Sequence, residues 1–237
     1  MILQKENIHQ FFEWLDKAKT TGAFVMIDKD YKWTSFDVVS KLRKITKIQK
    51  IGHSGTLDPL ATGLLLIGLG KATKELSQFK NFNKTYYAII KVGATTKSDD
   101  CEYEEENHKD ITNLNSNVVI EVIHSFIGKI LQVPPKFSAK QVEGKRLYKL
   151  ARQNKNFQID PIETIINSII IQQIRLPYIE IIVDCSTGTY IRSLARDIGN
   201  TLGVGGYLFK LRRLKIGEYN VENALKIEDF SEYYAKI

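Results

Sequence analysis

GHSGTLDPLATG occupies residues 52–63 and runs straight into the apolar stretch LLLIGLG. Three glycines, a proline, one histidine and one aspartate share these twelve positions. Asp58 precedes Pro59, and a residue before proline is driven out of the α region, so the carboxylate sits on extended or turn backbone and not on a helix. Gly52, Gly55 and Gly63 permit backbone angles or close approaches that a Cβ would forbid. Such a loop presents one side chain at a fixed angle beneath a ligand. An aspartate that caps its own turn has the same local pattern. Two other chemistries do not fit. A P-loop requires GxxxxGK[ST], and around Gly70-Lys71 the first glycine is Leu65 and the Ser/Thr position is Ala72. A retaining glycosidase needs a second carboxylate close by, and this stretch has none.

The rest of the chain bounds the possibilities. With 237 residues and 43% hydrophobic residues it makes one large domain or two small ones around a substantial core. A net charge of +7 suits a polyanionic partner such as nucleic acid or a membrane face, although a lysine-rich proteome bias leaves the same surplus. Cys101 and Cys185 belong to no CxxC pair, which fits a reducing interior and excludes a disulfide framework. His9, His53, His108 and His124 show no metal-ligand spacing, so no metal is expected. The N-terminus carries charges throughout and lacks the apolar core of a signal peptide. LLLIGLG is far too short to span a bilayer. A cytoplasmic protein without membrane contact is expected.

Periodicity predicts a short amphipathic helix over 8–19, outside the main pattern, and a strand over 23–28. A helix follows from Thr34 or Ser35 as N-cap, with Val38, Val39, Leu42 and Ile45 on one face. Residues 84–94, 168–174 and 178–185 read as strands, as does YLFKLRRLKIG. Helical spacing through Val119, Ile123, Phe126 and Ile130 predicts a helix over 117–130, and a second helix is expected over 189–203, stopped by Gly203. Strands and helices do not alternate strictly, which favours an α+β fold with a mixed, mainly antiparallel sheet over a doubly wound one. Residues 131–160, with Pro134, Pro135, Gly144 and Pro161 around a basic segment, look like an insertion projecting from the sheet.

The wider string KIGHSGTLDPLATGLLLIGLGKATK resembles the signature GHxGTLDPxATGLLxxxxGxATK of the B-type tRNA pseudouridine synthases, the TruB family. KTYY (84–87), VPPKFSAKQVEGKRLYKLAR (133–152), CSTGTYIRSLARDIG (185–199) and LRRLKIG (211–217) are similar to further family blocks, in the family's order. The resemblance covers roughly residues 23–227. It implies the pseudouridine synthase fold with a thumb-like RNA-binding insertion. Residues 23–237 would form the catalytic domain and residues 1–22 a helical extension without a family counterpart. It also implies the isomerisation of uridine at tRNA position 55, in the T-loop, to pseudouridine, without cofactor or metal.

The resemblance places the family's catalytic aspartate at Asp58. That carboxylate would attack the pyrimidine ring, attack the anomeric carbon, or draw off a sugar proton, and all three need it ionised near the glycosidic bond. Tyr86 matches the tyrosine that stacks on the uracil, with Tyr87 as its competitor. Arg192 matches an arginine paired with the catalytic carboxylate, and Tyr190 opens the same helix. Asp100, in TTKSDDCEY, matches the acidic partner of that arginine, although the family's following glycine is missing and Asp99 competes. Leu211 matches an apolar contact beside the base. His53 matches a histidine that holds the T-loop with its base extruded, an unstacking that costs a few kcal/mol. Gly52, Gly55, Thr56 and Pro59 belong to the supporting loop. Lys136, Lys140, Lys145 and Arg146 belong to a 136–152 segment with six basic residues against Glu143 alone, interleaved with Phe137 and Tyr148, which suits a phosphate backbone and exposed bases.

Two departures from the family pattern stand out. The usual KPxG turn reads KDYK here, so Lys29 is kept while proline and glycine are replaced, a change expected to leave the Asp58 loop untouched. The chain ends soon after LKIEDF (225–230), too soon for the C-terminal PUA domain many members carry. Binding would then rest on the tRNA T-arm, with the protein a monomer needing no protein partner. The competing readings are a non-catalytic RNA-binding or tRNA-folding protein on the same scaffold and a guide-RNA-dependent relative.

Overall fold

The computed structural model describes residues 1–138, 141–142, 145–146 and 159–235. The fold is α+β, with a mainly antiparallel sheet and helices. It divides into two compact units, residues 1–86 with 212–237 and residues 87–211.

In the first unit, β1 (Ile2–Leu3) pairs parallel with β2 (Ala23–Lys29), and α1 (Phe11–Thr20) lies between them in sequence. The first residues are part of the core. Phe11, Trp14, Leu15 and Ala18 of α1 are buried with Val25 and Ile27 of β2, and Trp14 Nε1 donates to the Phe24 carbonyl at 2.6 Å. α2 (Ser35–Thr46) starts at a reciprocal cap. Thr34 Oγ1 accepts from the Asp37 N–H, and Asp37 returns a bond to the Thr34 N–H. β3 (Ile51–His53) and β2 each pair antiparallel with β4 (Ala61–Leu69). The run LLLIGL is therefore a strand covered on both faces. Leu65 and Ile67 pack with α1 and α2, while Leu64 and Leu66 pack with Phe24, Met26, Leu76 and Phe79. α3 (Ser77–Lys80) follows, and the buried Lys84 caps its last residue, its Nζ donating to the Lys80 carbonyl (2.5 Å) and to that of Phe82 beyond the helix (2.6 Å). β5 (Lys84–Val92) starts in this unit and continues into the next.

The second unit orders its strands β5, β10 (Tyr178–Cys185), β9 (Ile162–Arg175) and β6 (Gly128–Gln132), with β10 and β6 both antiparallel to β9. β9 begins six residues before the apolar run at 168 that marks it in sequence. The helix expected over 117–130 is α4 (Ser116–Ser125), and it stops short. Gly128 adopts φ 108°, a left-handed value that breaks the helix, and Gly128–Gln132 then joins the ladder of β9 from Gly128↔Ile166 to Gln132↔Ile162. The Phe126 and Ile130 spacing fits a helix, but strand pairing wins. β7 (Gln141–Val142) and β8 (Lys145–Arg146) form a separate antiparallel pair. α5 (Ile191–Thr201) buries Ile191, Leu194, Ala195 and Ile198 as its period predicts. β11 (Gly206–Ile216) starts here and ends in the first unit, followed there by β12 (Tyr219–Asn220) and α6 (Ile227–Ala235). No helix among the described residues is long and apolar enough to cross a membrane.

Candidate active site

Asp58 stands at the first position of a turn with Pro59 second, closed by the Ala61 N–H donating to the Asp58 carbonyl at 3.0 Å. Proline's fixed φ and the preference it imposes on its predecessor put the half-buried carboxylate on a defined backbone. The residue before it, Leu57, is 3% exposed and is gripped by a single hydroxyl. Its N–H donates to Ser35 Oγ at 2.9 Å, and Ser35 Oγ donates to its carbonyl at 3.2 Å. The residue after it, Pro59, has a carbonyl that accepts from the Lys32 N–H (2.9 Å) and from Lys29 Nζ (3.4 Å).

Lys29 is 1% exposed and solvates its ammonium with backbone carbonyls, adding Trp33 at 2.5 Å and Asp30 at 3.0 Å. Burial lowers its pKa to about 8, and the Asp58 carboxylate is the strongest influence holding it up. The two opposite charges thus stabilise one another. The turn that departs from the family pattern does touch the Asp58 loop, but through Lys29, which the pattern keeps, and through the backbone N–H of Lys32, which a glycine would also supply. Lys32, at the family's glycine position, adopts φ 65°, which costs a residue with a Cβ about 1 kcal/mol. Asp30, at the proline position, is held instead by Lys226 at 2.6 Å.

The other half of the loop is built differently. His53 ends β3, and burial followed by the Arg213 charge pushes its pKa below the ordinary value, leaving the ring neutral at pH 7. Its Nδ1 and the Ser54 hydroxyl are buried and find no hydrogen-bond partner among the described residues. Arg213, 2% exposed, donates from Nε to the Leu64 carbonyl (2.7 Å) and from Nη2 to the Gly55 carbonyl (3.2 Å), tying the loop to β4. Sequence reasoning passed over this arginine, whose only signal was its place in LRRL beside Leu211.

The three loop glycines are not equivalent. Gly63 has φ 106°, and a Cβ there would lie 2.3 Å from the Arg213 carbonyl oxygen. A Cβ at Gly52 would meet only the flexible end of Leu76 at 3.1 Å, and one at Gly55 nothing nearer than Arg213 Nη1 at 3.8 Å. The steric requirement read for all three therefore holds at Gly63, and Gly55 has neither the angle nor the crowding. Gly63→Ala is expected to destabilise the fold by about 3 kcal/mol or more, and Gly55→Ala by about 0.5 kcal/mol or less, read as shifts in the denaturant midpoint.

In the second unit, Tyr190 is the N-cap of α5, and its backbone is held by the fully buried Gln132. Gln132 Oε1 accepts from the Tyr190 N–H (3.0 Å) and Nε2 donates to its carbonyl (3.3 Å). Arg192, the second residue of α5, lies 3.6 Å from Asp100, with both side chains less than a tenth exposed, and donates to the carbonyls of Ser98 (3.3 Å) and Phe137 (3.1 Å). The competing Asp99 is taken by Arg196 at 2.9 Å, although burial still pushes the Asp99 carboxyl up. Tyr103 stands where the family has glycine, and its ring packs on Phe137 with centroids 5.2 Å apart. On β5, Tyr86 and Tyr87 point to opposite faces. Tyr87 is committed to Glu180 at 2.5 Å, and burial, followed by that acidic neighbour, raises its pKa to about 12.

Of the residues singled out in sequence, Lys29, Gly52, His53, Gly55, Thr56, Asp58, Pro59 and Tyr86 fall in the first unit. Asp100, Lys136, Tyr190, Arg192 and Leu211 fall in the second. Lys136 is exposed and Leu211 half-buried. Lys145 and Arg146 form β8, whereas Lys140 lies outside the described residues.

The fold is that of the pseudouridine synthases, as the matches to known proteins show. A chain from the crystal structure of a Cbf5-Nop10-Gar1 complex superimposes with a TM-score of 0.71 at 27% identity, covering 93% of this chain and 56% of that one. This chain thus spans little more than half of that neighbour's length. Residues 43–191 match the model of the TruB family pseudouridylate synthase N-terminal domain, and residues 192–237 match that of the tRNA pseudouridylate synthase B C-terminal domain. The chain belongs to the TruB family and is an isomerase that converts uridine to pseudouridine. The tRNA pseudouridine synthase B of Phocaeicola vulgatus is 44% identical over 219 residues, 90% of this chain and 93% of that one. The protein of that name from Chlorobium phaeovibrioides is 44% identical over 213 residues, covering 88% and 89%.

Proposed function

We propose that this enzyme isomerises the uridine at tRNA position 55, in the T-loop, with Asp58 as the reacting carboxylate. Tyr86 is the ring that stacks on the extruded uracil, Arg192 the cation that keeps the carboxylate ionised, and Leu211 an apolar wall that excludes water. His53, whose buried Nδ1 has no hydrogen-bond partner among the described residues, holds the opened T-loop. The observation that carries this reading is the Asp58 turn, a half-buried carboxylate gripped on both flanking residues with a buried lysine beside it. Near-full-length likeness to proteins named tRNA pseudouridine synthase B supports tRNA as the substrate. The test is tritium release from transcripts labelled at uracil C5, because forming the carbon glycosidic bond there displaces that hydrogen. Release from wild-type tRNA and none from a tRNA carrying cytidine at position 55 is expected. Equal release from both sinks the assignment.

The T-arm is the proposed docking element, held by a monomer through Lys136, Lys140, Lys145 and Arg146. If these cations meet phosphates, affinity falls steeply with salt, by about one unit of log–log slope per contact. Neutral variants of Lys145 and Arg146 together are expected to reduce that slope by about 2. A titration of labelled tRNA at several salt concentrations reads it directly, and an unchanged slope removes this segment from the interface.

A further inference from the structure

We propose that Ser35 is a positioning residue for Asp58, a role that rests on the reading of Asp58 as the reacting carboxylate. Both backbone polar groups of Leu57 are buried in a turn where no strand or helix can pair them, and one hydroxyl satisfies both. That hydroxyl belongs to the first residue of α2, whose start is itself fixed by the Thr34–Asp37 cap. Ser35 is 2% exposed and faces no solvent that could replace it. Lys32 and Lys29 hold the carbonyl of Pro59 from the other end of the same 29–35 segment. Asp58 is thus suspended between two anchored neighbours, and its carboxylate inherits their precision. Loss of the clasp lets the turn shift, and displacement of a reacting group by about 1 Å costs about 100-fold in rate.

The experiment compares wild type, Ser35→Ala and Ser35→Thr by single-turnover tritium release, tRNA binding and thermal melting, at a temperature where all three are folded. Ser35→Ala is expected to lower the rate about 10- to 100-fold with tRNA affinity within about twofold of wild type. Ser35→Thr, which keeps the hydroxyl, is expected to recover most of that loss. A purely structural serine would lower the melting temperature without splitting rate from affinity. Ser35→Ala turning over at the wild-type rate overturns the proposal, as does a folded, tRNA-binding Ser35→Thr that stays as slow as Ser35→Ala. Wild type that binds tRNA but releases no tritium overturns the proposed function along with the role of Ser35, so the two failures are told apart in the wild-type arm.

Discussion

Asp58→Asn is expected to abolish tritium release, by at least about 10³-fold, in a protein that still folds and still binds tRNA. The substitution is nearly isosteric, so the turn closed by Ala61 and the bonds to Ser35, Lys32 and Lys29 all survive, because every one uses backbone at residues 57–61. What disappears is the charge. An amide cannot attack the ring, attack the anomeric carbon or take a sugar proton, so the three candidate routes fail together. The same variant has a second signature. Asp58 is the strongest influence raising the pKa of Lys29 against burial, so its neutralisation moves that value below about 8. Because the folded-state value is already depressed, the unfolded chain holds the Lys29 proton to higher pH. This lysine's contribution therefore makes stability rise with pH, starting near 8 in wild type and lower in the variant. Single-turnover assays, tRNA titrations and melts between pH 7 and about 10 read all of this in one protein. Turnover surviving in folded Asp58→Asn removes the carboxylate from the chemistry.

Arg192→Ala is expected to cost about 3–5 kcal/mol of stability, the largest loss predicted for a single side chain here. Arg192 and Asp100 are both nearly sealed from water. Removing the guanidinium leaves a buried carboxylate that, among the described residues, keeps the Ser98 hydroxyl (2.5 Å) and the Glu102 N–H (3.0 Å), and frees the carbonyls of Ser98 and Phe137 that Arg192 had satisfied. Neutralising both partners should be far milder. Arg192→Met with Asp100→Asn is expected to recover more than half of the loss, because no uncompensated charge remains. Denaturant midpoints of Arg192→Met, Asp100→Asn and the double variant complete the cycle. A loss in the double variant equal to the sum of the two single losses would show that the pair is not coupled.

Much of the fold was legible because its elements are locally consistent. The alternation of β10, the apolar stripe of α5 and the capped start of α2 each reflect a period of 2 or 3.6 written in adjacent residues. Periodicity was silent on LLLIGL because a strand buried on both faces has no alternation to read. It misled at Ile130 because an apolar residue four positions after Phe126 fits a helix as well as the strand that follows Gly128.

The site divides along the same line. Asp58 with its proline turn and the basic, aromatic segment at 136–152 are each written in adjacent residues, so their local character could be read from neighbours, while the roles expected of them came from the resemblance. Ser35 meets Leu57 across 22 residues, Gln132 meets Tyr190 across 58, and Arg213 reaches Gly55 across 158. The assignment of Asp99 to Arg196 and Asp100 to Arg192 spans nearly a hundred. By itself, the sequence determined which carboxylate stands in the proline turn, because steric restriction before proline is a property of adjacent residues. Only the tertiary structure decided what holds that turn, because a buried peptide group takes whichever hydrogen-bonding partner folding brings within 3 Å, however far away along the chain.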